Sequence, residues 1–239
     1  MKKTLSFLAA LALAGSLAAC GGDDDKPLVP TNSATVTSEA PDNETDEATT
    51  DAATTDAATE DPTTDEATDN GGDRTQNGVT MTDAGEITPT TGGTPATATS
   101  SQGSGAEFSY VAPAGWMALE DTAAFMVDFG LVNPSASTDT FATNLVVAKS
   151  AAQNVSVDTW NDDYGFVMAK AFGATEVKKY TNGDSVYYGV TRTMNGVEMT
   201  QVIGVFTKDG VLYEVGLTST PDKVDALLGD FAQFASSIK

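Results

Sequence analysis

A long acidic segment of this 239-residue chain cannot build a hydrophobic core. Residues 21–107 consist mainly of Thr, Ala, Asp, Glu, Gly, Ser and Pro, contain no aromatic residue, and carry 19 acidic but only 2 basic side chains. Apolar burial in such a segment cannot offset an ordering cost of about 1–2 kcal/mol per residue. We therefore predict a disordered acidic linker over 20–107 and a single folded domain over 108–239.

The first 20 residues have the pattern of an export signal. A basic start, Met1-Lys2-Lys3, precedes an apolar run from Leu5 to Leu13 that is too short to cross ~30 Å of hydrocarbon. The next segment, Leu17-Ala18-Ala19-Cys20, resembles the lipobox of bacterial lipoproteins, and Cys20 is the only cysteine in the chain. We predict a signal peptide over 1–19, cleavage between Ala19 and Cys20, and acyl chains on the Cys20 thiol.

This anchor would hold the protein on the extracytoplasmic face of the cell membrane. The alternative is an ordinary signal peptide with a cysteine at the cleavage point by chance. The position of the only cysteine favours the anchor over that alternative.

Composition excludes several classes of function. A net charge of −22 argues against nucleic acid as a partner, because phosphate binding needs clustered Lys and Arg. The chain has no histidine, so it can form neither a Ser-His-Asp triad nor a Cys/His zinc site. Asp162-Asp163 is a candidate acid/base pair, but a solvated helix face is the simpler interpretation. We predict no catalytic residues, no metal site and no cofactor.

Periodicity in the domain predicts an α+β fold with an antiparallel sheet and two main helices. Ser156 is a candidate N-cap for a helix reaching Phe172, and Thr220-Pro221 opens a second helix that ends near Ile238. The predicted strands are Phe108–Val111, Ala124–Leu131, Thr143–Lys149, Thr175–Tyr180, Ser185–Met194, Val197–Lys208 and Val211–Thr218.

Two hairpin turns, Asn195-Gly196 and Asp209-Gly210, set the expected strand register. They place Met194 opposite Val197 and Lys208 opposite Val211, and opposed residues share a face. One face then carries Val186, Tyr188, Val190, Met199, Ile203 and Val205, and the other carries Tyr187, Val202, Phe206, Tyr213, Val215 and Leu217. Both faces are apolar, so both need a cover. Either the helices cover one face each, or they share a face and something else covers the other.

Gly189 and Gly204 lie together on the second of these faces. Glycine inside a strand marks the close approach of another element. That element is either a tightly packed helix or a ligand whose groove has the glycines as its floor.

Four residues are candidates for ligand binding. Arg192 is the only arginine after residue 107, and its fork suits the phosphate or carboxylate of an anionic head group. Gln201 and Tyr188 lie on the same predicted face. Trp116 could stack on a sugar, although a core anchor after the Pro113-Ala114-Gly115 turn is the simpler interpretation.

The order of motifs resembles the LpqN/LpqT family of actinobacterial lipoproteins. The resemblance rests on Pro113-Ala114-Gly115-Trp116, on the segment Phe141–Val147 before a helix, on the hairpins, on Tyr213–Thr218 and on the closing amphipathic helix. It implies a Mog1/PsbP-like α/β sandwich and an accessory or binding role in the cell envelope, with envelope proteins or glycolipids as partners. It implies no catalytic residues.

The combined prediction is a membrane-anchored lipoprotein that acts as a non-enzymatic binding module for envelope proteins or amphipathic envelope lipids. One alternative is an assembly or stability factor with protein contacts only. A hydrolase is less favoured, because acyl-transfer chemistry usually relies on a histidine base.

Overall fold

The structure, a computed structural model, describes residues 68–70, 73–102, 105–122, 125–151, 155–194 and 196–239. The predicted signal peptide, the Ala19–Cys20 cleavage point and the first part of the linker lie outside these residues. The described residues have the predicted α+β architecture, a large sheet with helices packed on its faces.

The described strands are β1 (Thr68–Asn70), β2 (Asp73–Gln76), β3 (Val79–Glu86), β4 (Thr94–Thr99), β5 (Glu107–Ala112), β6 (Met117–Ala118), β7 (Phe129–Val132), β8 (Asn144–Lys149), β9 (Glu176–Asn182), β10 (Ser185–Met194), β11 (Val197–Lys208) and β12 (Val211–Ser219). The helices are α1 (Asp162–Ala171) and α2 (Pro221–Ser237), with a short 3-10 helix at Val157–Thr159.

Ten of these strands form one sheet in the order β1-β2-β3-β9-β10-β11-β12-β8-β7-β6, while β4 and β5 pair separately. The centre of the large sheet is a meander of long neighbouring strands. Its register confirms the hairpin prediction, because Met194 pairs with Val197 and Lys208 pairs with Val211. The described neighbours are antiparallel except β3 and β9, which run parallel.

The two helices cover opposite faces of the sheet. We call the side carrying Tyr187, Val202, Tyr213, Val215 and Leu217 the α2 face, because α2 packs there through Leu227, Phe231 and Phe234. We call the side carrying Tyr188, Val190 and Ile203 the α1 face, because α1 packs there through Phe166, Met168 and Ala169. Of the arrangements left open by the sequence, the structure has one helix on each face.

The α2 face has a second cover, the two-stranded sheet. Phe108 on β5 meets the ring of Tyr213 edge-on at a centroid distance of 5.1 Å, and Tyr110 stacks on Phe129 at 5.0 Å. The last residue of the chain, Lys239, exchanges two backbone hydrogen bonds with Ser109. The small sheet therefore closes this core together with α2.

The prediction that folded structure begins at Phe108 is wrong. Strands β1 to β4 lie within residues 68–99, which the composition assigns to the linker. Val79 and Met81 bury in the α1-face core and Ile87 in the α2-face core. A strand added to an existing sheet gains backbone hydrogen bonds and needs few apolar side chains, so a composition average over 87 residues misses it.

Two predicted elements are shorter than expected. The predicted helix from Ser156 is interrupted, because Ser156 caps only the 3-10 helix and α1 starts again where Asn161 Oδ1 accepts from the Tyr164 amide. The predicted strand Ala124–Leu131 begins only at Phe129. The amides of Phe125 and Val127 both donate to the Thr122 carbonyl, which makes this stretch a turn.

Candidate functional site

Two of the four predicted binding residues lie in the core. Tyr188 is fully buried on the α1 face, and its hydroxyl donates to Oδ1 of Asp162 at 2.9 Å. Trp116 packs in the α2-face core and donates through Nε1 to Oδ2 of Asp230 at 2.8 Å. Both side chains have structural partners, and neither presents an open surface to a ligand in this structure.

The other two, Arg192 and Gln201, are diagonal neighbours in the β10–β11 ladder, so the structure brings them close to each other on the α1 face. Arg192 Cζ lies 4.3 Å from the centroid of the Phe172 ring. Gln201 is 2% exposed, and its Nε2 donates to Thr218 Oγ1 at 3.4 Å. Nε and Nη2 of Arg192 and Oε1 of Gln201 are buried and have no hydrogen-bond partner among the described residues.

A groove lies on the α2 face, between strands β9, β10 and β11 and the first turn of α2. Its volume is about 190 Å³. Its rim is formed by exposed side chains of β9 and β10, so it opens to solvent. The lining residues are Ala174, Thr175, Glu176, Lys178, Tyr180, Gly189, Thr191, Thr200, Pro221 and Val224.

Gly189 shapes this groove by letting the Tyr180 ring lie against the sheet. A Cβ atom at Gly189 would come 2.9 Å from Cε2 of Tyr180. Tyr180 is 3% exposed, and its hydroxyl has no hydrogen-bond partner among the described residues. Burial and the nearby Asp225 raise the pKa of Tyr180 to about 12. At neutral pH the hydroxyl is therefore protonated and can donate as well as accept.

The polar groups of the groove are mostly hydroxyls. Thr191 and Thr200 face each other across the ladder, with 2.7 Å between their Oγ1 atoms. Lys178 and Glu176 on the exposed rim carry opposite charges, so the lining side chains have no net charge. A groove with balanced charge and several hydroxyls suits an uncharged ligand group that both donates and accepts hydrogen bonds.

Gly204, the second strand glycine singled out by the sequence, does not line the groove. A side chain there would overlap the ring of Tyr187 from the neighbouring strand. Aromatic rings of adjacent strands, not a helix, are thus the elements that approach Gly189 and Gly204 closely.

The adjacent carboxylates Asp162 and Asp163 have different surroundings. Asp162 accepts from Arg74, from Lys179 Nζ at 3.1 Å and from the Tyr188 hydroxyl, while Asp163 is exposed. Burial alone would raise the pKa of Asp162, but the hydrogen bonds from Lys179, Arg74 and Tyr188 lower it overall. A carboxylate held ionised by three donors ties α1 to the sheet and is poorly suited to proton transfer.

Sequence reasoning missed most of the groove. The one signal was Gly189 inside a predicted strand, which allowed a groove as one of two interpretations. The hairpin register also places Thr191 opposite Thr200, but only the position of α2 shows that these hydroxyls line a concave surface.

Among the described residues, no group of three or more Asp, Glu, Cys or His side chains is placed to hold a metal ion. In the same part of the chain, no helix combines the length and the apolar character needed to cross a membrane.

No protein-family model and no curated protein matches the sequence. Solved structures similar to it include the solution structure of a cyanobacterial PsbP from Synechocystis, 16% identical, covering 62% of this chain and 94% of that chain with a TM-score of 0.38. LpqN of Mycobacterium tuberculosis, a protein involved in cell envelope biogenesis, is 14% identical. The match covers 62% of this chain and 85% of LpqN, with a TM-score of 0.34. A protein of Bacteroides thetaiotaomicron is 13% identical. The match covers 55% of this chain and 44% of that protein, with a TM-score of 0.34. At these identities and TM-scores, the likeness assigns no function to this chain.

Proposed function

We propose that this chain is a lipoprotein of the LpqN/LpqT type, anchored by acyl chains on Cys20 to the extracytoplasmic face of the cell membrane, and that its domain is a non-enzymatic binding module. The lipobox-like segment ending in the only cysteine supports the anchor. The motif resemblance given above supports an accessory role in the envelope. The absence of histidine from the sequence disfavours a hydrolase.

One observation carries the binding role: the groove is lined by Tyr180 and three threonines, and the buried Tyr180 hydroxyl has no partner among the described residues. Burying a hydroxyl without a hydrogen bond costs about 1–3 kcal/mol. A bound group that donates to or accepts from Tyr180 would remove that cost. The group that binds in the groove is therefore uncharged and polar. It is either a hydroxylated head group of an envelope amphiphile or a polar side chain of an envelope protein.

The size of the groove limits what it can hold. Sites for drug-sized ligands have volumes of about 300–1,000 Å³, and this groove has about 190 Å³. A single ring or side chain fits, whereas an acyl chain does not fit beside it. In the lipid version of the proposal, the module holds the head group while the acyl chains stay outside the groove.

The anchor is tested by Cys20→Ala in the full chain expressed in its host. The variant should appear in the culture medium or the soluble fraction, because no thioether can form. Ser33→Ala, another small substitution in the same part of the chain, should stay in the membrane fraction. Membrane association of Cys20→Ala equal to that of the wild type would disprove the anchor.

The groove is tested by filling it. Thr191→Trp places a large side chain in the groove, while Thr193→Trp makes the same change two residues along the same strand face, outside the lining. Native mass spectrometry of the full-length protein, purified gently from its host, should show a bound amphiphile on the wild type and Thr193→Trp but not on Thr191→Trp.

A photo-crosslinker at residue 191, with residue 193 as the control position, tests the protein version. Crosslinking to one envelope protein from position 191 alone, with no bound amphiphile, would assign the groove to a protein partner. Equal ligand occupancy in both tryptophan variants, or equal crosslinking from both positions, would refute the groove as the binding site.

A further inference from the structure

The α1 face carries a buried cation that has no counter-ion among the described residues. Arg192 is half-buried as a whole, and its Nε and Nη2 atoms are inaccessible to solvent. It takes part in none of the ion pairs of the described residues, which involve Arg74, Lys179 and Lys208. The Phe172 ring lies 4.3 Å from Cζ, but Nε and Nη2 have no hydrogen-bond acceptor among the described residues.

An unpaired buried cation is unfavourable for the stability of the fold. A buried charge is normally paired, because losing hydration costs several kcal/mol that only a partner can offset. The same loss of hydration lowers the pKa of Arg192, although the group stays charged at neutral pH. In a chain with 34 acidic and 12 basic residues, an arginine without a carboxylate partner is unexpected.

A neighbouring polar atom, Oε1 of Gln201, also lacks a hydrogen-bond partner among the described residues. Gln201 is 2% exposed, and its Oε1 is buried without a donor among the described residues. Asn144 belongs to the same cross-strand row of the α1 face, since Gln201 pairs with Thr218 and Thr218 pairs with Asn144. Its Nδ2 donates to the Ala142 carbonyl at 2.8 Å, which fixes the amide orientation and leaves Oδ1 without a donor.

The unsatisfied atoms differ in kind from those of the groove. The Nε–Nη2 edge of an arginine presents two parallel N–H donors, the geometry that two oxygens of a carboxylate or phosphate accept. The Gln201 oxygen beside it calls for a hydroxyl or N–H donor. Together they describe an oxyanion that also carries a hydrogen-bond donor, such as a monoprotonated phosphate or a carboxylate next to a hydroxyl.

We propose that the Nε–Nη2 edge of Arg192, with Gln201 beside it, is an oxyanion-binding site on the α1 face, separate from the groove on the α2 face. Arg192 reaches the surface, so the site opens at its rim. Because Nε and Nη2 are buried, an incoming anion seats against this edge only after side chains at the surface move locally. This site does not depend on the proposed function, because Arg192 and the groove residue Thr191 point to opposite faces of β10.

The two arginines of the chain allow a direct test by NMR of the Nε–H groups. The full-length protein should give two signals, and Arg74→Lys assigns them. Arg74 is already paired with Asp162 and serves as an internal control. Adding inorganic phosphate or acetate, at ionic strength matched with chloride, should shift the Arg192 signal saturably and slow its exchange with water. The Arg74 signal should stay unchanged.

Variants of Arg192 and Thr191 test whether the two-donor edge of the Arg192 guanidinium binds the anion. Arg192→Lys keeps the charge but loses the fork, so its phosphate affinity, followed as the phosphate-dependent rise in melting temperature, should fall roughly tenfold. Thr191→Trp should leave that affinity unchanged. Vesicles of phosphatidylglycerol and of phosphatidylcholine show whether the bound oxyanion is a lipid head group or a free anion. Broadening of the Arg192 signal with the phosphatidylglycerol vesicles alone would identify a lipid head group.

Two results would overturn the proposal. An Arg192 Nε–H chemical shift that already matches that of the carboxylate-paired Arg74 before any anion is added would mean that the guanidinium is satisfied within the chain. A signal that does not respond to phosphate, acetate or anionic vesicles would mean that the edge binds no oxyanion. Both results are measured on the wild-type protein, so they do not depend on the stability of any variant.

Discussion

The two faces of the central sheet are built differently. The α2-face core has about twice as many buried apolar residues as the core that packs against α1, and many of them are aromatic. The α1 face mixes a smaller apolar core with the charged or polar side chains of Asp162, Arg192, Gln201 and Glu214. Apolar burial is insensitive to pH, whereas each buried ionisable group links stability to its own protonation.

The two faces should therefore contribute differently to the free energy of unfolding. The α2 face should determine how stable the domain is. The α1 face should determine how that stability changes with pH and with added anions. Substitutions on the two faces should therefore differ in the size and in the pH dependence of their effects.

The largest effect should follow from truncating the α2-face core. Phe231 is fully buried, and its ring meets Tyr187 edge-on at 4.9 Å. Phe231→Ala should lower the free energy of unfolding by about 3–5 kcal/mol, because it removes apolar contacts and leaves a cavity. Urea denaturation should show the same loss at pH 5 and at pH 8, because the free energy of apolar burial does not depend on pH. Val167→Ala, at an exposed position of α1, should cost less than about 0.5 kcal/mol.

A smaller loss is expected from overfilling the same face. An added methyl at Gly204 would overlap the Tyr187 ring, so Gly204→Ala should destabilise the protein by about 1–3 kcal/mol. Gly216→Ala is the matched control in the same sheet, because its nearest neighbour would be 3.8 Å away. Equal melting temperatures for the two variants would contradict the close approach of Tyr187.

On the α1 face, Asp162→Asn should cost about 1–2 kcal/mol at pH 7. The loss is below that of a fully buried ion pair because the carboxylate keeps some contact with solvent. The pKa of Asp162 is lowered in the fold, so its contribution is present above the unfolded pKa and is lost as pH falls through the folded pKa. The difference between wild type and variant should therefore shrink in acid. Asp163→Asn, at an exposed carboxylate, should cost less than about 0.5 kcal/mol at pH 7.

The smallest effect has the opposite sign. Burial raises the pKa of Glu214, and the hydrogen bond from the Ser150 hydroxyl at 2.7 Å only partly opposes this. The ionised form thus weakens the fold above the folded pKa, and stability recovers as pH falls towards the unfolded pKa. Glu214→Gln should stabilise the protein by roughly 1 kcal/mol at pH 8 and by less at pH 5. A variant less stable than the wild type at pH 8 would show that the carboxylate has a partner that stabilises its charge.

Local patterns in the sequence predict the centre of the fold well. The turns at Asn195-Gly196 and Asp209-Gly210 determine the register of β10, β11 and β12, and alternation then determines the face of each side chain. Pro221 at the first helical position marks the start of α2, although the Thr220 side chain makes no capping hydrogen bond. These features depend on neighbours in the sequence or across one tight turn.

The edges of the fold are less predictable. β3 pairs in parallel with β9, about 100 residues later in the chain, and its few apolar side chains give little signal in a Thr- and Asp-rich segment. The break between the 3-10 helix and α1 depends on Trp160 Nε1, which donates to the Val186 carbonyl of a distant strand. Neither partner can be read from the adjacent sequence.

For the candidate sites, the side-chain period of two in a strand is enough to place Arg192 and Gln201 on one face and Gly189 on the other. The packing of the folded chain shows that Tyr188 and Trp116 serve the core, that α2 turns the surroundings of Gly189 into a groove, and that Arg192 lacks a carboxylate among the described residues. These properties differ because burial, concavity and missing partners depend on what packs on top of a strand. That choice is made by contacts between residues far apart in the chain.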